Sequence, residues 1–212
     1  MGLGKTIQSL TVVFNEAVRM KRVKGLKKKP VSLVICPTSL TYNWLNEINK
    51  FFEGFNAVVV EGTPAERELI LKEAAKGEKY DLLIMNYEKV KNCLLQGLGD
   101  IPFFYLVLDE AHKIKNSKTS VTQSVKKLKA DRKLALSGTP LQNRVSELWS
   151  LFDFLMPDFL EEEGVFNKKY NKYLSANIKK MQEKLEETQQ FIDALKSLKK
   201  RIAPFILRRT KD

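Results

Sequence analysis

Phe103-Phe104-Tyr105-Leu106-Val107-Leu108 runs without a break into Asp109-Glu110-Ala111-His112. Six apolar residues that stop at two carboxylates describe a strand buried on both faces, with an acidic pair at the carboxyl edge of a parallel sheet. In open α/β folds that edge is where ligands bind. The pair suits nucleotide hydrolysis: Asp109 to hold Mg²⁺, directly or through water, and Glu110 to orient and polarise an attacking water. For this stretch alone, a strand followed by a polar turn in which Asp109 caps the next helix is the plainer alternative.

Working outward, the same texture repeats. Strands are expected at Val31–Cys36, Ala57–Val60, Asp81–Met85, Tyr105–Leu108 and Lys133–Leu136. Helix-like segments separate them at Thr6–Met20, Thr41–Phe51, Pro64–Lys76 and Ser120–Leu128, and Pro64 fits a first-turn position. Strand–helix alternation of this kind predicts a mostly parallel α/β sheet flanked by helices.

The chain opens Met1-Gly2-Leu3-Gly4-Lys5-Thr6, ahead of a helix-like stretch. A glycine-rich turn entering a helix presents backbone N–H groups and the positive end of the helix dipole to phosphate. Gly2 and Gly4 allow close approach, Lys5 would reach the β- and γ-phosphates of ATP, and the Thr6 hydroxyl would ligate Mg²⁺. Only the second half of the full G-x-x-x-x-G-K-[ST] pattern falls within the chain, so by itself the segment also reads as an N-terminal helix cap. The acidic pair downstream favours the phosphate reading.

Beyond Pro157 the pattern changes. Apolar residues fall at Phe166, Tyr170, Leu174, Ile178, Met181, Leu185, Ile192, Leu195, Leu198 and Ile202. Steps of three and four predict one or two amphipathic helices, a packing surface with no catalytic role. The expected organisation is a nucleotide-binding lobe over 1–156, a helical protrusion over 157–203, and over 204–212 the start of a connection onward.

Composition bounds the partners. The net charge is +12, with +8 over residues 1–156 and +4 over 157–212, so no single tail carries it. Such a balance suits a polyanion such as nucleic acid, although a lysine-rich solvated surface gives the same number. The densest run, Lys21–Lys29, reads as a solvated loop or a DNA or localisation element. Cys36 and Cys93 sit in apolar stretches without metal-ligand spacing and read as reduced core thiols. His112 is the only histidine, which argues against multi-histidine metal sites. No apolar run approaches the ~20 residues of a membrane span, and no membrane partner is expected.

Four blocks in order resemble the helicase superfamily-two ATPases of the SWI/SNF class. These are MGLGKTIQ at Met1–Gln8, LVICPTSLTYNW at Leu33–Trp44, DEAHKIKN at Asp109–Asn116, and LSGTPLQNRVSELW at Leu136–Trp149. The resemblance implies a RecA-like P-loop lobe with a C-terminal helical protrusion. It implies ATP and Mg²⁺ at Lys5, Thr6, Asp109 and Glu110, and a relay of nucleotide state through Ser137, Thr139 and Gln142 with His112 bonded across to it. It also places Pro37, Thr38 and Ser39 near one strand of double-stranded DNA, where contacts to phosphate fix position without reading sequence. Thr38 and Arg144 depart from common wording in the class, which bears on the DNA contacts and leaves the ATP chemistry untouched.

LWSLFDFLMPDFL at Leu148–Leu160 and IAPFILRRTK at Ile202–Lys211 look most like the ATPases that strip the TATA-box-binding protein from DNA, a wording shared with nucleosome-remodelling and repair translocases. The resemblance further implies a nuclear location and a second RecA-like lobe that supplies arginine fingers; Arg208 and Arg209 come too early for that. Because such arginines contribute ~10³–10⁵ in rate in related enzymes, the isolated chain is expected to hydrolyse ATP feebly or not at all. Two alternatives stay open at this point: a DEAH-type RNA helicase lobe, and a non-catalytic scaffold that binds DNA or a partner.

Overall fold

The structure is a computed structural model that describes residues 4–21, 31–138, 145–174 and 185–209. Its contacts divide the chain into two compact units, Met1–Pro140 and Leu141–Asp212.

The first unit begins with helix α1 (Lys5–Lys21) and strand β1 (Ser32–Cys36), followed by α2 (Thr41–Phe51) and β2 (Ala57–Val59). Helix α3 (Pro64–Lys76), β3 (Leu82–Asn86) and α4 (Tyr87–Leu94) come next. Strand β4 (Phe103–Leu108), α5 (Ser120–Lys126) and β5 (Ala130–Ala135) complete it. The five strands form one sheet in the order β2-β3-β1-β4-β5, and every pairing is parallel. The expected α/β class therefore holds.

Burial explains the strands that were legible. In β1, β3 and β4 every residue is buried. Alternation sends Val34, Cys36, Ile84 and Val107 into a core with Leu10, Val13 and Ala17 of α1 and Trp44 and Ile48 of α2. Leu33, Ile35, Leu83, Leu106 and Leu108 point the other way and are buried as well. Each such side chain contributes roughly 1.5–3 kcal/mol when fully removed from water. Phe14 packs against Phe52 and Phe55 at centroid distances of 5.2 and 5.4 Å, closing one end of this core.

Local chemistry sets the element ends. In α3, Thr63 and Glu66 form a reciprocal capping box, Pro64 occupies the first turn as expected, and Gly77 closes the helix at φ 69°. In this unit two elements differ most from the expectation. Strand β5 starts at Ala130 rather than Lys133, taking in Asp131 and Arg132; these charges are tolerated because β5 lies at an edge of the sheet, half exposed. Helix α4 was not expected at all. It follows β3 with no intervening residue, and the Asn86 side chain caps it by accepting from the Lys89 amide at 3.0 Å.

The second unit contains α6 (Val145–Leu155), α7 (Glu163–Leu174) and α8 (Leu185–Ile202). Phe152, Leu160, Phe166, Tyr170, Leu198 and Ile202 form its core, and the Trp149 indole N–H donates to the Glu161 carbonyl at 2.7 Å. Because Phe152 and Leu160 supply this core, α6 groups with the helices that follow it, and the units divide at 140/141 where the sequence suggested 156/157. Along the expected stripe, Phe166, Tyr170, Leu198 and Ile202 are buried, whereas Ile192 and Leu195 are exposed; Ile178 and Met181 lie outside the described residues. No helix among the described residues is long and apolar enough to cross a membrane.

Candidate nucleotide-binding site

Parallel strands deliver their following turns to one edge. β1 leads to Pro37, β3 to Tyr87, β4 to Asp109 and β5 to Ser137, and the amino end of α1 joins them there.

Gly4 adopts φ 68°, a left-handed conformation open to glycine at little cost, and its carbonyl accepts from the Gln8 amide at 3.0 Å to start α1. Lys5 and Thr6 are thereby the first helical residues, where backbone N–H groups are left without intrahelical partners. A Cβ placed on Gly138 would lie 3.4 Å from Lys5 Nζ and 3.6 Å from Glu110 Oε1. The lysine and the glutamate therefore converge on one glycine, a cradle that any side chain at 138 would begin to fill.

The acidic turn is held tightly. The Asp109 amide donates to the Ile35 carbonyl at 2.8 Å, tying it to the neighbouring strand. The Ala111 amide donates to Leu136 O at 2.8 Å, and the Leu136 amide donates to Leu108 O at 2.7 Å. These bonds clamp the exit of β5 onto the acidic turn and bring Gly138 over it. Asp109 is buried; its Oδ2 accepts from the Trp44 indole N–H and its Oδ1 from the Glu110 amide, both at 2.9 Å. The Tyr87 hydroxyl donates to the Asp109 carbonyl at 2.8 Å. Glu110 itself sits at φ 49°, ψ 51°, a left-handed conformation that costs a non-glycine residue of order 1–3 kcal/mol. Its Oε2 lies 3.2 Å from His112 Nδ1.

The negative charge of this corner reaches its neighbours. Burial, and after it the charges of Asp109 and Glu88, push the Cys36 thiol up to about 12. Burial first, then the charge of Asp109, raises the Tyr87 phenol well above its ordinary range.

The remaining expected site residues are distributed as follows. Thr38 and Ser39 are exposed in a 3₁₀ turn that directly follows Pro37, one strand away from Asp109. Thr38 Oγ1 donates to Glu88 Oε2 at 3.5 Å, and its carbonyl accepts from Thr41 Oγ1 at 3.0 Å. Ser137 is exposed at the end of β5. Gly2, Thr139 and Gln142 lie outside the described residues, as do Arg144 and most of the basic run, residues 22–29. Trp44 and Tyr87 were not singled out from the sequence. A buried indole or phenol needs an acceptor for its polar hydrogen, but only the fold reveals that both find it on Asp109.

Among the described residues no three His, Cys, Asp or Glu side chains gather as a metal cage. Mg²⁺ at a nucleotide site is held by one or two protein groups together with substrate phosphates and water. Thr6 in the first turn of α1 and the buried, hydrogen-bonded Asp109 fit that donor set.

The profile of the SNF2-related domain matches residues 1–212. The chain belongs to the SNF2-related family. Over 219 residues this SNF2-related chain is 39 % identical to human TATA-binding protein-associated factor 172, covering all of itself and 12 % of that protein. It is 36 % identical over 217 residues to TATA-binding protein-associated factor MOT1 of Saccharomyces cerevisiae, again across its whole length and 11 % of the relative. Among solved structures it resembles the Sulfolobus solfataricus SWI2/SNF2 ATPase core in complex with dsDNA, at TM-score 0.75 and 34 % identity, over all of this chain and 39 % of that one. The SNF2-related chain thus spans a small fraction of these relatives. Its parallel five-stranded sheet flanked by helices is the RecA-like lobe of an SNF2 ATPase. Although residues 109–112 read Asp-Glu-Ala-His, the match is to the SNF2-related domain, and a DEAH-box assignment is not supported.

Proposed function

We propose that this chain is the ATP-binding lobe of an ATP-dependent translocase on double-stranded DNA that remodels protein–DNA complexes. The observation that carries the reading is the convergence of Lys5 and Glu110 on Gly138, beside a carboxylate, Asp109, whose two oxygens are both held.

On this reading each residue has its own part. The amides at the start of α1 and the Lys5 ammonium bind the β- and γ-phosphates. Mg²⁺, held through Thr6 and Asp109, would neutralise charge on the phosphates. Glu110, fixed by its backbone conformation and by His112, orients the water and takes its proton. Ser137, Thr139 and Gln142 carry nucleotide state towards the DNA-facing turn at Pro37, Thr38 and Ser39. Because β1 and β4 are neighbours, that turn and the acidic pair leave the sheet side by side, a short path for coupling. A second RecA-like lobe of the same protein supplies the arginines that complete the site. The double-stranded DNA in the related archaeal core supports duplex as the track, and the TATA-binding protein-associated factors among the relatives support that protein as the one displaced and the nucleus as the location.

The test is ATP turnover of the natural full-length protein with and without duplex DNA, in wild type and Lys5→Ala. DNA-stimulated turnover lost in the variant is the expected result. Absence of turnover in both forms would return the chain to the scaffold reading, and stimulation by RNA in place of duplex DNA would move the track.

A further inference from the structure

The support beneath Asp109 comes from Trp44, the last residue of the Leu33–Trp44 block and one with no role assigned so far. Trp44 is 1 % exposed, and its indole N–H is spent on Asp109 Oδ2. Asp109 is itself only 6 % exposed, so its oxygens are satisfied by protein donors. Those donors are the indole on one oxygen and the Glu110 amide on the other. Together they set the plane of the carboxylate and leave its remaining lone pairs in fixed directions.

Trp44 also belongs to α2, whose buried face is Thr41, Trp44 and Ile48. The Thr41 hydroxyl donates to the Thr38 carbonyl, so the first turn of α2 is bonded directly to the turn at Thr38–Leu40. One helical turn further on stands the indole that holds Asp109.

Building on the proposed role of Asp109 as a metal ligand, we propose that Trp44 is a positioning residue: its N–H aims the Asp109 carboxylate at the divalent cation and makes that aim depend on the seating of α2. Without the N–H, Asp109 loses one of the two hydrogen bonds that fix its carboxylate. Divalent-metal affinity then falls, while the affinity of the site for nucleotide alone does not change. Removing a group that orients a metal ligand commonly lowers metal affinity by 10–100-fold.

The experiment measures binding of a fluorescent ADP to the full-length protein as Mg²⁺ is titrated, and again in EDTA. Wild type is compared with Trp44→Phe, with Asp109→Asn, and with protein carrying benzothienylalanine at position 44, which keeps the shape of the indole and lacks its N–H. The expected result is a half-saturating Mg²⁺ concentration about tenfold higher in both position-44 variants, with unchanged affinity in EDTA. An unchanged Mg²⁺ requirement in the benzothienylalanine protein, or equal weakening with and without Mg²⁺, overturns the proposal. If Asp109→Asn raises the requirement and the position-44 variants do not, only the role of Trp44 falls. If Asp109→Asn has no effect, the metal reading of the site falls and takes this one with it.

Discussion

Gly138→Ala places a single methyl group between two charged side chains. Its Cβ would stand 3.4 Å from Lys5 Nζ and 3.6 Å from Glu110 Oε1, ordinary contact distances to the free ends of two flexible side chains. Gly138 is exposed, and its φ is outside the left-handed region, so alanine meets neither a backbone clash nor a conformational penalty there. Gly→Ala at such a position stabilises by about 0.4–1 kcal/mol through the unfolded chain. Turnover responds in the opposite sense. Lysine and glutamate must close to about 3 Å on the phosphate and the water, and an ångström of misplacement costs on the order of 10²-fold in rate. The assay pairs steady-state ATP turnover of the full-length protein with the denaturant midpoint of the same preparations. The expected outcome is a slower enzyme that unfolds no more easily than wild type. Turnover within twofold of wild type would refute the convergence of Lys5 and Glu110 on this glycine as the reacting geometry, and a clear loss of stability would refute the packing argument.

Three further outcomes follow from the same corner. Glu110→Asn should abolish turnover while leaving stability equal or higher, because asparagine tolerates the left-handed conformation better than glutamate; thermal melting and ATPase rates on one sample check both halves. Tyr87→Phe removes the donor to the Asp109 carbonyl in a buried setting and should destabilise by about 1–3 kcal/mol, read from urea unfolding; a loss under 0.5 kcal/mol would show the bond to be dispensable. Raised pKa values at Cys36 and Tyr87 mean that the unfolded chain releases these protons first. The contribution of these two groups to stability is therefore constant below about pH 9 and falls between there and about 12, by up to about 1.4 kcal/mol per pH unit for the thiol, with the phenol adding to the loss above its ordinary value. Cys36→Ala should make that alkaline slope shallower in urea titrations run from pH 8 to 11.

The parts of the fold that were legible share a physical cause. β1, β3 and β4 are buried along their whole length, so, Ser32 and the Tyr105 hydroxyl apart, their sequences stay apolar until the sheet edge is reached, and the edge is where the candidate site lies. α2 and α3 were readable to the residue, the latter because Thr63, Pro64, Glu66 and Gly77 are start and stop signals. What escaped depended on neighbours distant in sequence. The charged start of β5 is acceptable only at a sheet edge, and α4 has no turn residue to separate it from β3. Within the site, Lys5 and the Asp109–Glu110 pair announced themselves as motifs. Trp44 and Tyr87 did not, because only the parallel order β3-β1-β4 brings positions 44, 87 and 109 together.

The backbone at Glu110 has a consequence for how this chain can age. A residue held at φ 49° is a standing cost to folding, and glycine or asparagine at that position would relieve it in a single step. In a lineage that kept the lobe only as a docking platform, nothing would oppose that step, and position 110 would be among the first to drift.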